Sequence, residues 1–132
     1  MRHSVHTNTA PSPAGPYSQA IVLDSGLVFV SGQGAADPTT GDWVSSTIDG
    51  QTRQVFANIE AILKQAGCSM GDVVKVSVFL SDMADFQGMN EVYRTRFAEP
   101  YPARTTVQAG LADGLLIEVD VIAVLQPAGD DK

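Results

Sequence analysis

A single cysteine in 132 residues excludes an internal disulfide, and two histidines, both near the start of the chain, leave little for metal or triad chemistry. A metal centre needs several suitable ligands, and none is spaced convincingly beside His3 and His6. A histidine-based triad has equally little to draw on. Cys68 follows Gly67 at an expected helix end and reads as an ordinary small residue at a turn rather than a reactive thiol. Cations are scarce too. Eight Lys and Arg against fifteen Asp and Glu leave a net charge of −7, which disfavours nucleic acid as a partner. An anionic substrate approaching such a surface needs a positioned cation to receive it. No apolar stretch is long enough to cross a bilayer, and no basic start followed by an apolar run suggests a secretory leader, so no membrane partner and a cytoplasmic location are expected.

What is present fits one globular domain spanning 1–132. Apolar residues make up 44% and charged residues 17%, and no repeat, charge block or linker divides the chain. Residues 9–20, TAPSPAGPYSQA, read as an ordered loop leading into a strand. AIVLDSGLVFVSGQ follows, two apolar runs separated by Asp24-Ser25-Gly26, which predicts a hairpin. Asp37-Pro38 and Gly41-Asp42 mark further turns.

Between Asp49 and Gly67 the period becomes helical. Val55, Phe56, Ile59, Ile62, Leu63 and Ala66 share one face, with Arg53, Asn58, Glu60, Lys64 and Gln65 mostly on the other. Asp49 is the expected cap at the start and Gly67 at the end. Asp72–Leu80 reads as a strand in which Val74, Val76 and Val78 alternate against Lys75 and Ser77. A second helix is expected over about Asp85–Phe97, striped by Phe86, Met89, Tyr93 and Phe97, with Asn90 inside the stripe; two strands joined by a turn end the chain. The order of elements predicts an α+β domain, a mixed sheet with two helices on one face. Aliphatic residues on the other face call for cover by another subunit.

Charges within the last two strands pose the main question. Alternation puts Arg104, Thr106 and Gln108 on one face of the first, and Leu116, Glu118 and Asp120 on one face of the second. The two strands are read as neighbours that each bring one charge of opposite sign, and on pattern alone a structural ion pair or a solvated edge explains Arg104 and Glu118 better than a site does. The chemistry open to them is nevertheless definite. A guanidinium fork matches a carboxylate, and a carboxylate can orient a water and accept its proton. Spacing alone does not show that the two converge.

AGPYSQA, VFVSGQ, DPTTG, QTRQVFANIEAIL, DVVKVSVFLSDMADF, MNEVYRTRF, YPARTTV and IEVDVIAV occur in that order over nearly the whole chain. Together they resemble the YjgF/RidA family, also called the endoribonuclease L-PSP family. The resemblance implies a chorismate-mutase-like fold of the Bacillus type and a homotrimer with clefts between subunits. It implies hydrolysis of reactive enamines and imines, such as 2-aminoacrylate and 2-iminopropanoate, to 2-oxo acids and ammonia without a cofactor. Residue by residue, Arg104 matches the arginine that holds the substrate carboxylate and Glu118 the glutamate associated with the attacking water. Tyr17, Ser31, Gly32 and Asn90 match further cleft positions, and Phe86 an apolar wall. Thr106 stands where many members have cysteine, and Gly110–Leu116 lacks the common Leu-Pro-Lys pattern. A pathway-specific deaminase, a small-carboxylate-binding regulatory module and a ribonuclease are the other readings the family allows.

Overall fold

The computed structural model describes residues 1–126. Its strands are β1 (Arg2–Val5), β2 (Ala20–Leu23), β3 (Leu27–Gln33), β4 (Val73–Leu80), β5 (Ala103–Gln108) and β6 (Ile117–Val124), and its helices are α1 (Ile48–Ala66) and α2 (Phe86–Arg96). They form one six-stranded sheet in the order β1-β2-β3-β6-β4-β5. Every neighbouring pair is antiparallel except β4–β5, which α2 joins as a crossover. The mixed sheet with two helices is the architecture expected from the sequence. β1 was not expected: only Val5 of its four residues is buried, so RHSV carries no apolar run to announce it.

The core lies between one sheet face and the helices. Val55, Phe56, Ile59, Ile62 and Leu63 of α1 are fully buried, as are Val28, Val76, Val78, Leu80 and Val119 of the sheet. Phe56 meets Tyr93 edge-on at 5.8 Å and Phe97 at 5.5 Å between ring centroids, so the aromatic stripe of α2 locks onto α1. Gly67 caps α1 in the left-handed conformation (φ 92°), where its amide reaches the carbonyls of Leu63 and Lys64.

Four sequence expectations need correction. The N-cap of α1 is Thr47, whose side chain accepts from the Gly50 amide; Asp49 sits in the first turn and pairs with Arg53 at 3.0 Å. Asn58 is buried, not on the solvent face, because its side-chain amide donates to the carbonyls of Gly34 and Ala36. Val74 is 46% exposed, since the β4–β6 register slips between Val73 and Lys75 and turns it outward. The last two strands are not neighbours: β4 lies between them. Residues 109–116 form a connection longer than a tight hairpin loop, which lets β6 pass over β4 and pair with β3.

The face opposite the helices keeps several apolar side chains exposed. Leu27, Phe29, Val107 and Val124 lie on it, each between 36% and 42% exposed.

Candidate active site

Arg104 projects from edge strand β5 toward the helices, beside Val76 of β4 and under α2. Its Nη1 donates to Asn90 Oδ1 at 2.7 Å and touches Met89 Sδ at 3.8 Å. The guanidinium carbon stands 4.6 Å from the centroid of the Tyr93 ring and 5.6 Å from that of Phe86. One amide oxygen, one thioether and two ring faces cannot satisfy five N–H donors. No ion pair among the described residues involves Arg104, so the cation is held in place and left without an anion. A pocket of about 250 Å³ opens beside it, lined by Asn90, Tyr93, Arg94, Tyr101 and Arg104.

Two polar atoms near this corner are also unpartnered. Tyr93 is 5% exposed, and its hydroxyl has no hydrogen-bond partner among the described residues; neither has Thr106 Oγ1, one alternation along from Arg104. Burial pushes the Tyr93 hydroxyl above its ordinary pKa, partly offset by the charge of Arg104 and by the nearness of a guanidinium N–H that falls short of good hydrogen-bond geometry.

Glu118 lies elsewhere. It pairs in register with Phe79 on the face away from the helices and opens into a cleft of about 730 Å³. Tyr17, Ser31, Gly32 and Glu118 all line that cleft. A bulge between Val30 and Gln33 of β3 brings Gly32 against the carboxylate: a Cβ there would collide with Oε2 and lie 3.2 Å from Cδ. Ser31 is anchored, its hydroxyl donating to the Ser18 carbonyl at 2.6 Å. Tyr17 is half exposed, and its hydroxyl accepts from the Ala14 amide at 3.2 Å.

The predicted residues therefore form two groups within one chain. Arg104, Asn90, Phe86 and Thr106 gather at the helix side of the sheet edge; Tyr17, Ser31, Gly32 and Glu118 gather on the opposite side. Arg104 and Glu118 sit two strands apart and three residues apart along β4, about 10 Å in each direction, with side chains on opposite faces. They are not an ion pair, which removes one of the two structural readings; the other, a solvated edge, still applies to Arg104 on edge strand β5.

The family model described as endoribonuclease L-PSP matches residues 7–125. The chain belongs to that family. A RutC family protein of Pyrococcus horikoshii is 50% identical over 124 residues, 93% of this chain and 98% of the relative. A 2-iminobutanoate/2-iminopropanoate deaminase of Mus musculus is 41% identical over 128 residues, 96% of this chain and 94% of the relative. Among solved structures, E. coli TdcF with bound serine superposes with a TM-score of 0.87 at 38% identity, covering 94% of this chain and 99% of that one.

Within this endoribonuclease L-PSP fold, buried amides that sequence reading passed over shape the cleft. Gln19 is 2% exposed; its Nε2 donates to the carbonyls of Thr7 and Pro11 and its Oε1 accepts from the Thr7 amide, which fixes the N-terminal loop as a wall. Gln51 does the same on the far side, donating to the carbonyls of Ser45 and Gly114 and accepting from the Leu116 amide. Trp43, directly after the Gly41-Asp42 turn, also lines the cleft. A glutamine at the start of an apolar run was the available signal for Gln19; two of the three partners of Gln51, Gly114 and Leu116, lie more than sixty residues away and leave no local trace. Burial raises the pKa of the Cys68 thiol, in line with an inert small residue. No group of three or more His, Cys, Asp or Glu among the described residues is arranged to hold a metal, and no described helix is long and apolar enough to cross a membrane.

Proposed function

We propose that the protein hydrolyses 2-imino acids and their enamine tautomers to 2-oxo acids and ammonia, in clefts that two copies of the chain build together. The observation that carries the reading is the separation of the two groups: an unpaired guanidinium on one face and a carboxylate in a roomy cleft on the other. The two groups face opposite ways, so the guanidinium of one copy can meet the cleft of the next. They complement each other head to tail, and such contacts close into rings when the rotation permits. A homotrimer is the ring proposed, with Leu27, Phe29 and the other apolar residues of the face opposite the helices turned to its interior. The likeness to a deaminase and to a structure with a bound amino acid supports the substrate class. A cytoplasmic setting is part of the same proposal.

The substrate carboxylate docks on the fork of Arg104, whose plane Tyr93 and Asn90 fix. That contact places the imine carbon beside a water held by Glu118 of the other copy. The water oxygen bonds to the imine carbon as Glu118 takes its proton and the nitrogen gains one. The carbinolamine then collapses with loss of ammonia, leaving the 2-oxo acid. The overall change is an imine and water giving a ketone and ammonia; no electrons are transferred. Thr106 keeps a small hydroxyl at a position where many members carry a thiol. With net charge −7, RNA is not the proposed substrate.

The test is complementation. Imines are generated in situ by an amino-acid oxidase and the oxo acid is followed against a semicarbazide trap. Arg104→Ala and Glu118→Gln are each expected to lose turnover while remaining folded. Unfolded and refolded together in equal amounts, they should recover about one site in four, because random trimers of the two variants restore one intact pair in each mixed ring. Failure to recover in demonstrably mixed rings would place both residues in one subunit's site or in none. Oxo-acid binding without turnover in the wild type would replace the reading with that of a carboxylate-binding module.

A further inference from the structure

Within a single chain, before the second copy of the proposed site is in place, the Glu118 cleft is far larger than a three-carbon imino acid requires. The same cleft, about 730 Å³ in volume, is also lined by Ala36, Trp43 and Leu115: Ala36 bridges to Trp43, and the side chains of Trp43 and Leu115 meet at Gly34. Charged residues in its lining are limited to Asp37 and Glu118, both acidic. Asp37 is committed to its own loop, where Oδ1 accepts from the amides of Thr39 and Thr40 at 2.8 and 3.0 Å.

Trp43 is the only tryptophan of the chain, and 38% of it is exposed. It is not a loose surface ring. Nε1 donates to the Asp113 carbonyl at 2.9 Å, and two glycines make its seat. A Cβ at Gly34 would stand 3.3 Å from the ring, and one at Gly114, whose φ of +81° already favours glycine, 3.2 Å from it. Leu115, 5% exposed, packs against the same Gly34. An indole fixed on three sides, with its remaining area turned into a cleft, is an apolar contact surface waiting for a ligand.

We infer that this part of the cleft receives the substrate side chain, and that Trp43 makes the protein selective for 2-imino acids with branched or longer apolar side chains over small ones and over those with a second carboxylate. The inference takes its substrate class from the function proposed above, but its test does not depend on turnover. Wild-type protein is titrated with pyruvate, 4-methyl-2-oxopentanoate and 2-oxoglutarate, the oxo acids that correspond to three parent imines, using calorimetry and the emission of the single indole. The isobutyl group should tighten binding at least about ten-fold over pyruvate and shift the emission, since even one added methylene in an apolar pocket reaches that range. 2-Oxoglutarate should bind no better than pyruvate.

In the kinetic arm, the ratio of kcat/KM for the leucine-derived imine to that for the alanine-derived imine should fall at least about ten-fold in Trp43→Ala. Equal binding of 4-methyl-2-oxopentanoate and pyruvate, or no binding of either, would overturn the inference, whatever the imines do. A selectivity ratio unchanged in Trp43→Ala would overturn the role of Trp43. Selective binding that shifts the emission, with no imine hydrolysed, would uphold the side-chain pocket and reject the hydrolase reading. The wild-type titration needs no variant, so a Trp43→Ala protein that fails to fold does not block the decision.

Discussion

Replacing Gly32 with alanine probes the water-handling carboxylate without touching it. A Cβ at this position would overlap Glu118 Oε2 and approach Cδ to 3.2 Å, so the carboxylate must swing away. Gly32 is not among the glycines with positive φ, so alanine meets no backbone strain there. Reduced freedom of the unfolded chain favours the variant by up to about 1 kcal/mol, and displacing a half-buried glutamate works against it by a similar amount. Stability should therefore change by less than about 1 kcal/mol in chemical denaturation. Turnover is another matter. Misplacing a reacting group by about 1 Å costs on the order of 100-fold, and the clash demands a movement of that size. The assay is oxo-acid release from the alanine-derived imine, with Gly71→Ala as the control. Gly71 sits in the turn Met70–Asp72, where an added Cβ meets only Ser69 Oγ at an ordinary 3.6 Å, so activity should be unchanged. A folded Gly32→Ala protein with full activity would show that Glu118 needs no fixed position, and the mechanism would fall.

Asn90→Ala removes the oxygen that holds Arg104 Nη1, and kcat/KM should fall by about ten-fold, mostly through KM. Asn90→Asp should be worse, because it gives the guanidinium an internal anion that competes with the substrate carboxylate; equal or better activity than Asn90→Ala would contradict this. Phe29→Asp places a charge in the sheet face opposite the helices and should yield monomers in sedimentation velocity, with turnover lost in proportion. A Phe29→Asp protein that keeps both assembly and activity argues against that face as the interface. The amides of Thr40 and Thr39 hold the Asp37 carboxyl below its ordinary pKa, so its contribution to stability is present above about pH 4 and fades as acid protonates the folded form. Asp37→Asn should then show a flatter acid limb in denaturation curves measured from pH 5 to pH 2.

Much of this fold was legible because its signals are local. The apolar face of α1, the aromatic stripe of α2 and the buried run of β6 each repeat with the period of their element, and the structure follows them. What was not legible depends on contacts between distant segments. The place of β4 between β5 and β6 is set by which strand edges remain free, and no residue of 109–116 states it. Asn58 looked solvent-facing because its partners, Gly34 and Ala36, lie more than twenty residues upstream. Within the candidate site, alternation correctly put Thr106 beside Arg104, yet the assumption of neighbouring strands made Arg104 and Glu118 look like a pair. Their separation onto opposite faces became visible only with the strand order.

That separation also explains why the polar groups of this chain divide as they do. Gln19, Gln51 and Asn58 are buried, and each makes several hydrogen bonds that tie loops to the sheet. Arg104, hydrogen-bonded to Asn90, lacks an anion, and the Tyr93 hydroxyl and Thr106 Oγ1 lack a hydrogen-bond partner among the described residues. Thr52 is the one other buried side chain with an unpartnered oxygen or nitrogen among those residues; like Thr106 it lines neither pocket, but it lies on α1, away from Arg104. An unpaired guanidinium and an orphaned hydroxyl each cost stability, so a fold that satisfies its structural amides this fully has no reason to leave such groups clustered by accident. A carboxylate arriving at this corner meets a cation already oriented by Asn90 and Tyr93, in a protein of net charge −7. The scarcity of cations thus sharpens the site: the remaining acidic surface discourages unspecific anion binding, and the charge at Arg104 is left for the group it is shaped to hold.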